Sequence, residues 1–373
     1  MTTWAAWADA EAAALHRAGR WREVRDLDGP GPEITLARPD TVAAGISFAG
    51  NDYLGLSRHP AVVAAAHEAL DRWGAGAGAA RLLAGARPVH RELERELAAW
   101  KGTERAVLFS TGYHANLGVL TVLGDAGARI VSDERNHASI VDGCRLARAD
   151  VAVFPHGDVA AAEQAMAGAE RVIVVSETVF SMDGDAAPVD DLATMCARRG
   201  ALLVLDEAHG VLGPDLAAAP GLLLLRVGTL SKALASLGGF VAGPGPLCDL
   251  LVNRARSFVF TTASPPAAAA AALAALRVAR SEEGATLRRR LRTNIDRLAP
   301  GHPSPILPIV IGTEADALAA SAALGDRGLL VPAIRPPSVP AGTSRLRISL
   351  SARHTEAHLD ALAAALRELG VPA

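Results

Sequence analysis

Lys232 is one of only two lysines in a chain whose 37 basic residues are otherwise arginines, the other lysine being Lys101. It lies in the turn TLSKALASLGG, between two apolar segments. An arginine guanidinium stays protonated and forms no Schiff base, whereas a lysine amine becomes nucleophilic once it is partly desolvated. We therefore predict that lysine is retained at position 232 for amine chemistry, the alternative being an ordinary surface lysine.

Two further residues that could bind a cofactor or take part in catalysis lie in the segment ALLVLDEAHG. Asp206 follows an almost wholly apolar run, where a carboxylate is costly unless it meets a cation such as a protonated pyridine nitrogen. His209 could donate a hydrogen bond to a phenolic oxygen on the same ring, and His137, in the segment NHAS, could stack on the ring face. The structural alternatives are a helix-capping aspartate and two buried histidines.

A phosphate site is predicted where the strand Arg105–Ser110 gives way to a helix at Thr111 and Gly112. The free amide groups at a helix N-terminus bind anions. The glycine-rich segment Gly74–Gly85 could also approach an anion, although most such segments are simply turns. An amine, a pyridinium partner, a ring-oxygen donor and a phosphate cradle together match the requirements of pyridoxal phosphate.

The motifs GYHAN, NHAS, FSMDGD, DEAHG and TLSK, in this order, resemble those of the α-oxoamine synthases. These are pyridoxal-phosphate enzymes with the aspartate aminotransferase type of fold (fold type I). The similarity runs from about Arg22 to the C-terminus. It implies an α/β transferase that forms a homodimer with active sites shared between the protomers.

The resemblance also implies roles for individual residues. Lys232 would bind the cofactor aldehyde covalently, Asp206 would pair with the pyridine nitrogen, His209 would contact the phenolic oxygen, and His137 would stack on the ring. The other implied cofactor contacts are Gly112, Tyr113, Ser181, Thr229 and, reaching the phosphate of the neighbouring subunit, Thr262.

Substrate contacts are implied in the same way. Arg347 matches the residue that binds the amino-acid carboxylate, because a guanidinium suits a carboxylate, whereas Arg345 is expected to be structural. Asn51, Ser338 and Arg22 are the other implied contacts, with Arg25 as an alternative to Arg22. Relatives often carry a hydroxyl in the glycine-rich segment where this chain has Ala77, Ala79 and Ala80, so the resemblance leaves a hydroxyl contact from that loop open.

The segments NDYLGL and AIRPPSVPAGTSRLRISLSA (333–352) are most similar to the biotin-pathway branch of the family. That branch condenses L-alanine with a pimeloyl thioester of coenzyme A or a carrier protein. Three alternatives stay open: a sister enzyme that uses glycine with acetyl-CoA or another acyl-CoA, an aminotransferase of the same fold, and a non-enzymatic cofactor-binding protein.

The elements that must position these residues alternate between short apolar strands and helices, which is typical of a mainly parallel sheet covered on both faces. We expect about seven strands, with the polar motifs gathered at their carboxyl ends. The predicted strands are Arg105–Ser110, Ala128–Val131, Val151–Phe154, Arg171–Ser176, Ala201–Leu205, Leu222–Gly228 and Phe240–Ala242.

The predicted domains are an N-terminal helix and arm (1–45), a large cofactor-binding domain (46–245) and a small α+β domain (246–373). The N-terminal helix is expected to run from Trp4 to about Arg25 because its apolar residues have helical spacing.

Composition limits the function classes. A chain of 373 residues, half of them hydrophobic, can bury a large core, and a net charge of −3 gives no basic field for nucleic acid. Cys144, Cys196 and Cys248 lack the paired spacing of a zinc site and are odd in number, which predicts buried thiols and no metal. Neither an export signal nor an apolar run long enough to cross a bilayer is visible, so a cytoplasmic protein is expected.

Overall fold

The fold is described from a computed structural model of residues 3–24, 26–29, 31–37, 42–213, 216 and 220–370. Arg25, the alternative substrate contact, lies outside these residues. The helices of the described part are α1 (Trp4–Arg17), α2 (Pro60–Trp73), α3 (Pro88–Lys101), α4 (Gly112–Leu123), α5 (Ala138–Leu146), α6 (Val159–Ala165), α7 (Val189–Arg199), α8 (Gly245–Arg254), α9 (Arg256–Val259), α10 (Pro266–Ala279), α11 (Glu282–Leu298), α12 (Glu314–Asp326) and α13 (Glu356–Glu368). None of these helices has the length and apolar character needed to cross a membrane.

The strands of the described part form three sheets. They are β1 (Leu27–Asp28), β2 (Glu33–Ala37), β3 (Val42–Ser47), β4 (Arg105–Phe109), β5 (Ala128–Asp133), β6 (Asp150–Phe154), β7 (Arg171–Glu177), β8 (Leu202–Asp206), β9 (Leu223–Thr229), β10 (Gly239–Gly243), β11 (Ile306–Gly312), β12 (Leu329–Leu330), β13 (Ala333–Ile334) and β14 (Ser344–Ser349).

The chain forms two compact units. The larger consists of Asn51–Ser181 and Asp185–Arg290, and the smaller of Met1–Gly50, Met182–Gly184 and Leu291–Ala373. The three-part division predicted from the sequence differs from this one at residues 246–290, which belong to the larger unit, and at residues 46–50 and 182–184, which belong to the smaller one. The predicted N-terminal arm is not a separate unit but belongs to the smaller one.

The larger unit is built on a seven-stranded sheet with the order β4-β10-β9-β8-β7-β5-β6. Strand β10 is antiparallel to both of its neighbours, and the remaining neighbours pair in parallel. The predicted mainly parallel sheet of seven strands is therefore confirmed.

Apolar residues on both faces of the central strands explain why helices cover both sides. On β8, Val204 packs into a buried cluster with Val119 of α4. Its neighbours Leu203 and Leu205 face the opposite side and pack into a second cluster with Leu192 of α7. Because successive side chains of a strand point to opposite faces, a continuous apolar run requires a layer on each side.

The polar motifs follow the carboxyl ends of β4, β5, β7, β8 and β9, as predicted. These five strands point the same way, since β4 and β9 are both antiparallel to β10 and the others are parallel to β9. Their carboxyl ends therefore lie along one edge of the sheet, where ligands bind in open α/β sheets.

The smaller unit contains the sheets β1-β2-β3-β12 and β11-β14-β13. Its helix α1 ends at Arg17, so the predicted extension to about Arg25 was wrong. Gly19 adopts a left-handed conformation with φ of 63°, its amide donates to His16 O, and the Arg20 amide donates to Leu15 O at 2.8 Å. These two bonds form a Schellman motif, which satisfies the last carbonyl groups and ends the helix. Gly19 was the feature of the sequence from which this helix end could have been predicted.

The three cysteines are buried and free, as predicted. Burial raises the pKa of Cys144 and Cys248 to about 11 and that of Cys196 to about 12. The thiolate form is therefore disfavoured at neutral pH, and these thiols are poor nucleophiles.

His354 of the smaller unit is expected to make stability fall in acid. It is buried, donates from Nε2 to Ser47 O at 3.0 Å, and accepts the Ser351 amide at Nδ1 at 2.9 Å. Burial lowers its pKa from 6.5 to about 4. Because the folded-state pKa lies below the unfolded one, its contribution is complete above pH 6.5 and is lost as pH falls towards 4; at pH 5 the loss is about 2 kcal/mol.

Denaturant unfolding at pH 7 and pH 5 measures this effect. The free energy of unfolding of His354→Gln should fall less between the two pH values than that of the wild type, whereas the exposed control His67→Gln should match the wild type. An unchanged pH slope in His354→Gln would assign the acid sensitivity to other groups.

Candidate active site

Lys232 lies in the turn that joins β9 to β10, half-buried. The turn is closed by hydrogen bonds from the Leu230 amide to Gly238 O and from the Ser236 amide to Leu230 O. The Lys232 amine is directed at His209, with 2.7 Å between Nζ and Nε2. The amine therefore faces a buried imidazole rather than bulk solvent, as amine chemistry requires.

Asp206 ends β8 and is 6% exposed. Its Oδ1 accepts the Ala208 amide at 2.9 Å, and its Oδ2 accepts Nδ2 of Asn116 at 2.6 Å. The same Asn116 amide donates to Ser139 Oγ at 2.9 Å. The carboxylate is thus held in a fixed orientation by a helix residue that the sequence analysis did not assign to the site.

His137 is exposed at the edge of the sheet, where its Nδ1 accepts the Ser139 amide and caps α5. Neighbouring protein atoms exclude part of its hydration, which lowers its pKa; the charge of Lys232 lowers it further, and the charge of Asp206 opposes both. The imidazole is therefore kept neutral beside the carboxylate and the amine, as a ring that stacks on an aromatic cofactor should be.

Glu177, at the end of β7, pairs in register with Asp206 and is 2% exposed. Burial, followed by the charge of Asp206, raises its pKa well above the ordinary value, against the opposing effects of Lys232 and of backbone amides from His137 and Ser181. Sequence reasoning missed this residue because strand neighbours cannot be read from one strand alone.

Asn51 and Tyr53 precede α2. The Tyr53 hydroxyl donates to Asn51 Oδ1 at 3.0 Å and lies 2.6 Å from Nδ1 of His209. The predicted substrate contact Asn51 is therefore linked to His209 through Tyr53, which was not among the predicted site residues.

The predicted phosphate cradle lies at the N-terminus of α4. Thr111 caps the helix by accepting the His114 amide at 3.0 Å. A Cβ on Gly112 would lie 3.4 Å from Thr229 Cβ, and a Cβ on Gly239 would lie 2.4 Å from the Gly112 amide nitrogen. Glycine at position 239 therefore allows β10 to approach the helix terminus closely, whereas a Cβ at position 112 would make an ordinary contact with Thr229.

The other predicted cofactor contacts of the larger unit differ in their burial and partners. The hydroxyl oxygens of Thr229 and Ser231 are 2.7 Å apart. Tyr113 is 39% exposed and its hydroxyl donates a hydrogen bond to Asp142. Ser181 is buried, whereas Thr262 is exposed and forms an isolated β-bridge with Ala80.

Three predicted substrate contacts belong to the smaller unit. Arg347 is on β14 and is 6% exposed. Ser338 is exposed in the preceding loop, and Arg22 donates to Pro336 O at 3.4 Å. Their roles stay predictions.

Arg345, also on β14, is buried and forms an ion pair with Asp183. It also donates to the Met182 carbonyl, at 3.4 Å. These contacts within the smaller unit agree with the structural role expected of it.

The residues of the larger unit fit pyridoxal phosphate by their chemistry. At one edge of one sheet lie an amine for an aldehyde, a buried carboxylate for a pyridinium nitrogen, an imidazole beside that amine, and a helix N-terminus that Gly239 approaches closely.

Comparisons with known proteins show the family to which the chain belongs. The family model for aminotransferases of class I and II matches residues 43–366. The 8-amino-7-oxononanoate synthase of Anaeromyxobacter dehalogenans is 50% identical over 380 residues, covering 96% of this chain and 94% of that protein. The enzyme of the same name from Methylobacterium sp. is 48% identical over 339 residues, covering 88% of each chain.

Two solved structures show the similarity of fold. Serine palmitoyltransferase of Sphingomonas wittichii has a TM-score of 0.87 at 32% identity, covering 98% of both chains. The 8-amino-7-oxononanoate synthase of Francisella tularensis has a TM-score of 0.73 at 27% identity, covering 87% of this chain and 98% of the other.

Proposed function

Because this chain belongs to the class I and II aminotransferase family and, within it, to the pyridoxal-phosphate-dependent α-oxoamine synthases, we propose that it condenses L-alanine with a pimeloyl thioester in biotin biosynthesis. This is the decarboxylative reaction of the 8-amino-7-oxononanoate synthases. The observation that carries the proposal is the 50% identity to such an enzyme over 96% of the chain.

Pyridoxal phosphate, when bound, supplies an aldehyde that condenses with amines and a ring that withdraws electrons from the α-carbon of an amino acid. Asp206 is the residue that would keep the ring nitrogen protonated, with Asn116 holding its Oδ2 at 2.6 Å. His209 would donate to the phenolic oxygen, and the N-terminus of α4 with Gly112 would bind the phosphate.

Lys232 has two roles in the proposed mechanism. Its amine would hold the cofactor aldehyde, and Nζ, when free, would accept the α-proton of alanine. The α-carbon forms a bond to the thioester carbonyl carbon as the carbon–sulfur bond breaks, and the thiolate leaves and takes a proton from solvent. The alanine carboxylate then leaves as carbon dioxide. A proton returns to the α-carbon before the product is released.

The other predicted residues would position the substrates. Arg347 would bind the alanine carboxylate through its guanidinium. His137 would cover the ring face, while Asn51, Ser338 and Arg22 would contact the substrates.

We also propose that the protein is a homodimer with active sites shared between the protomers, to which Thr262 contributes across the interface. Its proposed location is the cytoplasm. The acyl donor is the pimeloyl thioester of coenzyme A or of a carrier protein.

The alternative function is that of a sister α-oxoamine synthase. It is favoured by the superposition of this chain on the Sphingomonas wittichii serine palmitoyltransferase, with a TM-score of 0.87. Such an enzyme would use glycine or serine with a different acyl-CoA. An aminotransferase would convert the cofactor to its amine form with an amino acid alone.

The test is incubation of the holoenzyme with pimeloyl-CoA and either L-alanine, glycine or L-serine, followed by identification of products by mass. With alanine we expect the nine-carbon amino-keto acid 8-amino-7-oxononanoate, together with an equal amount of carbon dioxide. Turnover with the other two amino acids should be at least about tenfold slower because the site is matched to one side chain. Faster turnover of glycine or serine, or faster turnover when a shorter or longer acyl-CoA replaces pimeloyl-CoA in the same assay, would replace the proposal with the sister reaction.

A further inference from the structure

A continuous chain of hydrogen-bonding side chains connects Asn51 to the catalytic amine. Asn51 Oδ1 lies 3.0 Å from the Tyr53 oxygen, that oxygen lies 2.6 Å from His209 Nδ1, and His209 Nε2 lies 2.7 Å from Lys232 Nζ. Tyr53 is fully buried and His209 is 4% exposed. Bulk water therefore cannot substitute readily in the contact between Tyr53 and His209.

Counting the protons along this chain fixes the form of the imidazole. An amide oxygen is only an acceptor, so the single hydroxyl proton of Tyr53 goes to Asn51. The contact between Tyr53 and His209 then requires a proton on Nδ1, which donates to the tyrosine oxygen. A neutral imidazole carries one proton, so Nε2 is an acceptor and receives a hydrogen from the Lys232 amine.

The cofactor requires the opposite arrangement. If His209 donates to a ring oxygen from Nε2, the nitrogen that faces Lys232, that nitrogen must carry the proton. Nδ1 of the neutral ring then becomes an acceptor, and the Tyr53 hydroxyl can turn to donate to it. A phenol can supply both arrangements because its oxygen both donates and accepts.

We infer that Tyr53 is a positioning residue that selects the tautomer of His209 and reverses it when the cofactor binds. This inference rests on the cofactor chemistry of the proposed function. Toward the cofactor Tyr53 acts through His209, so removal of its hydroxyl should change the properties of the bound cofactor without removing a group that touches it.

The variant Tyr53→Phe tests the inference because it deletes one oxygen and keeps the buried ring. A weakened donor to the phenolic oxygen disfavours the anionic form of the cofactor. The midpoint of the pH titration of the visible absorbance band should therefore rise by roughly 0.5–1 pH unit, the equivalent of one neutral hydrogen bond. Lys232, Asp206, Glu177 and His137, the titratable groups around the site, are unchanged in this variant.

Thr121→Val is the matched control, since it removes a hydroxyl that donates to Leu117 O at 2.6 Å on α4. Its titration midpoint should equal that of the wild type. A midpoint that is unchanged in Tyr53→Phe, or that shifts equally in Thr121→Val, overturns the inference.

A double-mutant cycle separates a role through His209 from a packing role. In a His209→Asn background, Tyr53→Phe should produce little further shift in the midpoint or in kcat, because residues that act as one unit are non-additive. Full additivity of the two substitutions would refute the coupling. Thermal unfolding of each variant accounts for any general loss of stability.

A measurement on the wild type does not depend on any variant at Tyr53. In the cofactor-free protein with ¹⁵N-labelled histidine, the His209 ring, assigned by its loss in His209→Asn, should show a proton on Nδ1, and cofactor should move it to Nε2. A proton on Nε2 in the cofactor-free protein contradicts the inference. Failure of the proposed function looks different: the wild type would then show no visible band with pyridoxal phosphate, or no product from alanine.

Discussion

Replacing Lys232 with arginine is expected to abolish product formation, with a fall in kcat of more than about 10⁴-fold, because both covalent binding of the aldehyde and removal of the α-proton are lost. Arginine keeps the positive charge near Nε2 of His209, where Nζ now lies at 2.7 Å. It cannot form a Schiff base or give up its proton. The visible absorbance band of the lysine-bound cofactor should disappear as well.

The chain contains its own control for this substitution. Lys101→Arg makes the same chemical change at the only other lysine, which pairs with Glu207 at 2.5 Å between Nζ and Oε2. Arginine can keep that ion pair, so kcat and the visible band should stay near wild-type values. Turnover by a clean Lys232→Arg preparation, or loss of the band in Lys101→Arg instead, would contradict the assignment of the catalytic amine.

The second large effect is expected for Asp206→Asn. The substitution keeps the shape of the side chain but removes the negative charge that would hold a proton on the pyridine nitrogen in a buried site, 6% exposed. Charge-assisted hydrogen bonds are the strong ones, and a loss of about 4 kcal/mol corresponds to a fall in kcat of roughly 10³-fold. Asn116 would lose its carboxylate acceptor at the same time.

Exchange of the α-proton of alanine in deuterated water, followed by NMR without an acyl donor, reports the affected step directly. Asp133→Asn is the matched control: it changes a buried aspartate at the end of β5 that contacts His156 at 3.0 Å, outside the proposed site. That variant should lose stability but keep the exchange rate. Wild-type exchange in Asp206→Asn would show that the ring nitrogen needs no carboxylate.

Both of these predictions start from features that the sequence displays locally. The rarity of lysine identified position 232, and an acidic residue after the apolar run ALLVL identified position 206. Strand order along one edge was also accessible, because parallel strands with helices between them must place their carboxyl ends together. Even the early end of α1 was signalled, by Gly19, since glycine readily takes the left-handed conformation that a helix C-terminus uses.

The supporting residues were not accessible in this way. Asn116 meets Asp206 across a sequence separation of 90, and Tyr53 meets His209 across 156. Glu177 is identified only by its register with Asp206 on the neighbouring strand. A polar residue in a single segment gives no sign of its partner, so each of the three could equally have been a cap or a surface group.

The sequence by itself determined the chemistry of this protein: the amine, the carboxylate, the imidazoles and the order in which strands present them, because residue type and local hydrophobic pattern decide those. Only the tertiary structure decided how these groups are held. Orientation and proton position depend on contacts between distant segments inside a dry core, where each buried donor needs one particular acceptor.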